Sequence, residues 1–257
     1  MKLHYQISGD GPPLIILHGL FGTLENWGSQ VTALSQHYTV ISVDLRNHGR
    51  SPHCDAMNYT LMAADVIELM DLLSFNSSAI IGHSMGGKVA MQIALNYPHA
   101  VTQLIVVDIA PVNYSAHHEE IFNGLFSIEL ASLNSRAAAD KQLKAYTADP
   151  GIRAFLLKNL FRNQDKTFSW RFNLPALRQS YHLLSLAPSG TTFDGDTLFI
   201  KGKNSDYILR QHQSPITTLF SKATFKIIEG AGHWPHAEKP KVFSSIIMKF
   251  LANRNAD

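Results

Sequence analysis

The sequence predicts an α/β protein: a mostly parallel central sheet flanked by helices, with a helical segment inserted before the final βαβ part. Three observations carry this expectation. Short β-branched runs alternate with segments of helical period. The β-branched runs are apolar throughout, as strands covered on both faces are, and such strands are mostly parallel. The alternation stops between residues 113 and 190 and then resumes.

In chain order, Leu3–Ser8 alternates weakly and reads as a strand. Pro13–Leu17 is a buried-type strand that stops at His18-Gly19. Thr39–Leu45 (TVISVDL), Ser78–Gly82, Leu104–Ile109 (LIVVDI), Thr197–Lys201 and Thr224–Glu229 are the further strands. Between them, Met62, Val66, Leu69, Met70 and Leu73 share one helical face. So do Met85, Val89, Ile93 and Tyr97, and near the C-terminus Phe243, Ile246, Ile247 and Phe250. Residues 113–190 carry helical signals (IFNGLF, ASLNSRAAADKQLKAY, IRAFLLKNLF) and no convincing buried strand. The expected organisation is a core of residues 1–112 and 191–257 with a helical cap of residues 113–190. Such a cap covers the ligand crevice at the carboxyl end of the sheet.

Composition narrows the function classes. The 257 residues suffice for one large domain carrying an insertion. With 45% hydrophobic and only 16% charged residues, the chain has the opposite of a disordered balance. A net charge of +2 without a concentrated basic patch gives no footprint for nucleic acid. The lone Cys54 cannot form an internal disulfide, and Cys/His zinc spacings are absent, so no metal is expected. No apolar run reaches the roughly 18 residues of a membrane span. The opening MKLHYQISGDGPP lacks the apolar core of a secretion signal, so a cytoplasmic protein is expected. Its oligomeric state is left open.

The strongest chemical signal is Gly82-His83-Ser84-Met85-Gly86-Gly87, after a strand and before an amphipathic helix. In that context G-x-S-x-G places a serine on a strained strand-to-helix turn, with backbone N–H groups at the helix start facing a developing anion. Ser84 is the candidate nucleophile; the plain alternative is a Gly-rich packing turn. A serine hydroxyl needs a base. His233, in Glu229-Gly230-Ala231-Gly232-His233-Trp234-Pro235-His236, lies on a glycine-rich loop between the last strand and the last helix and is the candidate base. His236 reads as a packing residue. Two aspartates could orient the imidazole: Asp108 at the end of Leu104–Val107, and Asp206 after the next strand. Either could instead cap a turn or helix. For the oxyanion, the N–H of Met85 and that of Leu20, in His18-Gly19-Leu20-Phe21-Gly22, are the candidate donors. His18 reads as structural. Leu20, Phe21, His83, Trp170, Phe172 and Trp234 are the candidate substrate contacts, although Trp170 and Phe172 would equally serve as cap core.

In motif order, HGLFG at 18–22, DLRNHGRS at 44–51, GHSMGG at 82–87 and GAGHWPHAEKP at 230–240 resemble the α/β-hydrolase superfamily across essentially the whole chain. With VDIAPVNY and WRFNLPAL, they resemble in particular its bacterial YbfF-type esterases. The resemblance implies an α/β-hydrolase fold and a Ser-Asp-His esterase working without a cofactor on a small acyl ester or thioester. It also bears on the acid. The usual Gly-x-x-Asp position after the penultimate strand holds Ser205, and Asp206 is one residue out of register, so the resemblance favours Asp108. Ser205 then becomes an auxiliary group near His233. The resemblance also makes DLRNHGRS a structural loop. The rival expectations are another activity of this fold (C–C bond hydrolase, lyase or perhydrolase) and a non-catalytic small-ligand receptor.

Overall fold

A computed structural model describes residues 1–253. Its strands and helices are β1 (His4–Ser8), β2 (Pro13–Leu17), α1 (Gly28–Leu34), β3 (Thr39–Asp44), α2 (Tyr59–Leu72), β4 (Ser78–His83) and α3 (Met85–Asn96). They continue with β5 (Val101–Val107), α4 (Glu119–Ser127), α5 (Arg136–Leu143), α6 (Pro150–Leu157), β6 (Leu160–Arg162), β7 (Phe168–Trp170) and α7 (Leu174–Leu184). The chain ends with β8 (Thr197–Gly202), α8 (Gln213–Leu219), β9 (Ala223–Ile228), α9 (Pro235–Glu238) and α10 (Pro240–Ala252).

Seven strands form one sheet in the order β1-β3-β2-β4-β5-β8-β9. Only β1 runs antiparallel, against β3; the other pairings are parallel. The apolar strands are covered on both sides, as their continuous hydrophobicity requires. Ile80 of β4 packs in the layer of α2 and α3 with Val66 and Val89. Its neighbours Ala79 and Ile81 face the opposite layer, with Leu34 of α1 and Phe243 of α10. At roughly 1.5–3 kcal/mol for each fully buried large apolar side chain, these two layers hold the sheet rigid. Among the described residues no helix is long and apolar enough to cross a membrane.

Between β5 and β8 the chain forms four helices and one hairpin, β6–β7, that pairs apart from the main sheet. The sequence reading of this stretch as purely helical is therefore corrected. Each hairpin strand has three residues, too few to display a period of two, and it is held by pairing Leu160 against Trp170. The strand expected to run to Ile109 stops at Val107, because Asp108 turns into the left-handed region at φ 52°. Two short helices, α1 and α8, carry too few periodic positions to be seen in the sequence.

Candidate active site

The site is built where β4, β5 and β8 end. Ser84 leaves β4 at φ 51°, ψ −117°, a backbone region few non-glycine residues occupy. Two close approaches enforce the turn. A Cβ on Gly82 would lie 2.7 Å from Gly87 Cα, and one on Gly86 would lie 2.5 Å from the carbonyl oxygens of Leu17 and His18. The Ser84 N–H donates to Val107 O at 3.0 Å, which ties the turn to the end of β5. Met85 opens α3, so its N–H lies among the first-turn amides that have no helical acceptor.

One residue past β5 stands Asp108, fully buried. Its Oδ2 accepts from His233 Nδ1–H at 2.7 Å and from the Ser205 hydroxyl; its Oδ1 accepts from Gly202 N–H at 3.1 Å. The Nδ1–H of His233 is thereby engaged, which leaves Nε2 as the acceptor of the neutral ring. Asp206 is exposed and, among the described residues, makes no hydrogen bond to His233. Ser205 does reach the same carboxylate oxygen as the ring. Among the described residues Ser84 Oγ and His233 Nε2 have no hydrogen-bond partner. In free enzymes a nucleophile–base hydrogen bond is often long and tightens only with substrate.

The loop carrying His233 is fastened on three sides. The buried His83 donates Nε2–H to the His233 carbonyl at 2.7 Å. Glu238 accepts from the N–H groups on both flanks, Gly232 at 2.8 Å and Trp234 at 3.1 Å. Tyr207 stacks on the His233 ring, centroids 4.0 Å apart. Sequence reasoning missed Glu238 and Tyr207. Glu238 was legible in principle, as the carboxylate in the single turn of a short helix just after a glycine loop.

The turn at 18–22 packs against Ser84: a Cβ on Gly19 would lie 3.3 Å from Ser84 Cβ. Gly19 O accepts from His18 Nδ1–H at 2.8 Å and from Gly22 N–H at 2.9 Å. In a planar trans peptide the N–H points opposite to the carbonyl, so the Leu20 N–H faces away from His18. His18 Nε2 in turn accepts from Leu45 N–H at 3.0 Å, which makes His18 structural, as expected. Burial pushes His18 down to about 4 and, aided by the neighbouring His18, His48 down to about 3. Both are neutral hydrogen-bonding rings. DLRNHGRS is a framework loop. Asp44 accepts from Leu24 N–H and Arg50 N–H, Arg46 pairs with Asp65, and His48 accepts from Phe21 N–H at 3.2 Å.

Ser84, Met85 and Leu20 line a small cavity of about 40 Å³ together with Lys88, Tyr114 and Leu184. A wider opening of about 390 Å³ lies beside it around His233, Ser205 and Asp206, and Tyr114, His117 and Tyr207 border both. Of the expected substrate contacts, only Leu20 lines either space. Phe21, His83, Trp170 and Phe172 are buried elsewhere. Phe21 sits between Phe122 and Phe172, and Phe172 stacks on Trp170 at 5.1 Å. These rings join the 113–190 segment to the 18–22 turn. Trp234 packs on Phe155 at 5.8 Å. His236 stacks on Trp27 at 4.2 Å, the packing role expected of it. Large aromatic side chains are drawn into the core by their area, and the sequence gives no way to tell such a position from a pocket wall.

A family profile described as alpha/beta hydrolase fold matches residues 12–240. The chain belongs to the α/β-hydrolase family. Within the family it is 35% identical to Esterase YbfF of Escherichia coli over 96% of this chain and 95% of that protein. It is 38% identical to the sn-1-specific diacylglycerol lipase ABHD11 of Mus musculus over 98% and 86%. The solved structure of a marine microorganism esterase superposes with a TM-score of 0.95 at 38% identity, covering 97% of this chain and 99% of that one. The YbfF-type resemblance seen in separate motifs thus extends along nearly the full length of this α/β hydrolase.

Proposed function

We propose that this hydrolase is a cytoplasmic serine carboxylesterase that cleaves short- to medium-chain acyl esters, and acyl thioesters, through an acyl-enzyme. The observation that carries the reading is the Asp108–His233 hydrogen bond standing at the strand ends next to the strained Ser84. Esterases and lipases among its relatives support the ester class.

In this mechanism His233 Nε2 takes the Ser84 proton as Oγ attacks the carbonyl carbon. The N–H groups of Leu20 and Met85 hold the tetrahedral oxyanion. Asp108 keeps the proton on Nδ1 and stabilises the imidazolium. The imidazolium protonates the leaving alcohol or thiol as its bond to carbon breaks. Water then attacks the acyl-serine with His233 again as base, releasing the acid and regenerating Ser84. Ser205 assists by its hydrogen bond to Asp108, which holds the carboxylate rotamer. Residues 113–190 act as the cap, and the cavity they close receives the acyl chain.

Hydrolysis of p-nitrophenyl esters of increasing acyl length, beside Ser84→Ala, tests the reading. Wild-type turnover and fluorophosphonate labelling are expected, with both lost in Ser84→Ala. Wild-type rates no higher than those of Ser84→Ala, without labelling, would sink it. Asp108→Asn is expected to cut kcat by about 10⁴-fold, the cost of the wrong imidazole tautomer, while Asp206→Asn stays near wild type. The reverse result would reassign the acid.

A further inference from the structure

Four residues beyond Ser84, on the same side of α3, stands Lys88. It is 2% exposed, and among the described residues it pairs with no carboxylate. The ammonium donates to three backbone carbonyls: Val112 at 3.0 Å, Ser185 at 3.1 Å and Leu186 at 2.5 Å. The Tyr114 and Tyr59 rings lie 4.8 and 5.7 Å from Nζ. Val112 is where the chain leaves the sheet region after β5, and Ser185 and Leu186 are where it returns after α7.

The two ends also bond to each other. Tyr114 N–H donates to Ser185 O at 2.9 Å, and Ala187 N–H to Asn113 Oδ1 at 2.7 Å. One turn further along α3 the Gln92 side chain grips Ser189, donating to its carbonyl at 2.6 Å and accepting from its N–H at 3.1 Å. A lysine suits the first position because it alone offers three donors on a single atom. Burial pushes the ammonium down to about 7. An apolar side chain of the same length would fill the space without burying a charge, but it could not join three carbonyls. Lys88 also lines the same cavity as Ser84, Tyr114, Leu184 and Ser185.

We propose that Lys88 is a specificity-determining positioning residue: it pins both ends of the 113–190 segment to the helix that starts at Ser84 and so fixes the depth of the acyl cavity. This rests on the esterase reading for its substrate and on hydrogen bonds alone for the clamp. With the clamp released, Leu184 and Tyr114 can draw back, and the cavity accepts longer chains.

The test uses the full chain with Lys88→Met and, as a milder variant that keeps the buried charge, Gln92→Leu. Rates on p-nitrophenyl acetate, butyrate and octanoate are measured together with amide hydrogen exchange. In Lys88→Met the octanoate-to-acetate ratio of kcat/KM is expected to rise by about tenfold or more, mainly through a lower KM for octanoate. Gln92→Leu shifts the ratio in the same direction by less. Exchange accelerates at 112–114 and 185–189 and stays unchanged in the sheet. Rates that fall by one factor for every chain length, or a ratio that does not move, would overturn the proposal. If Lys88→Met does not fold, Gln92→Leu decides by the same readings. If wild type cleaves none of these esters, the esterase reading fails and exchange alone decides the clamp: faster exchange confined to the two ends keeps it, and unchanged exchange removes it.

Discussion

His233 shows how little of a site residue's behaviour resides in the residue. Its ring is aimed by Asp108 from the end of β5, its carbonyl is held by His83 from the end of β4, and its flanking amides are bound by Glu238. Glu238 is exposed and lies outside the cavity, so its removal should move the ring more than it weakens the fold. Glu238→Ala is expected to lower kcat/KM for a p-nitrophenyl ester by on the order of tenfold to a hundredfold, the penalty of about an ångström of misplacement. The melting temperature should change little, and Glu238→Gln, which keeps an acceptor, should restore most of the loss. A variant with wild-type kinetics would mean that His83 and Asp108 alone hold the loop. At this scale the sequence singled out Ser84, His233 and the pair Asp108 and Asp206 as candidates, because strand ends and glycine loops are local features. It could not tell that Phe21, His83, Trp170 and Phe172 face inward, because burial depends on what packs against them.

The strand–turn–helix unit of β4 and α3 is the element on which the rest depends. Its glycines serve close approach: a methyl group at Gly86 meets two backbone carbonyls that cannot retreat without moving β2. Gly86→Ala is therefore expected to destabilise the protein by about 1–3 kcal/mol, measured by urea unfolding, and to lower activity in the fraction that remains folded. Unchanged stability would contradict the close packing of the turn. The α3 face that follows, Lys88 and Gln92, was hidden in the sequence because a lysine in an otherwise apolar stretch reads as a side chain reaching out to water. Its signal was its position, four residues from Ser84 and so on the same helical face.

Over the whole molecule, histidines make acid the weak point. His18, His48, His83 and His236 are each buried. Burial lowers His18 to about 4, His48 and His236 to about 3, and His83 well below its ordinary value of 6.5, with neighbouring histidines adding to the effect for the last three. The unfolded chain takes up these protons as pH falls below about 6.5, while the folded chain keeps His18, His48 and His236 neutral down to about 4 or lower and His83 neutral well below 6.5. Stability therefore falls with falling pH across that window, by about 1 kcal/mol per pH unit for each ring. A thermal midpoint that is flat above pH 7 and drops by roughly 10 °C or more between pH 6.5 and 5 is expected. A midpoint unchanged down to pH 5 would mean that these rings are not buried in solution.

The sequence by itself determined the class of fold, the order of the strands along the chain, the strained serine turn and the histidine loop. Each of these is written in local terms: apolar runs, helical period, glycines at fixed offsets. Tertiary structure brought Asp108, and not Asp206, into hydrogen-bond contact with His233, an imidazole 125 residues along the chain. It also decided which aromatic rings became core, and it gave a buried lysine three carbonyls drawn from both ends of the 113–190 segment. Those outcomes follow from long-range packing, where distance along the chain carries no information about distance in space.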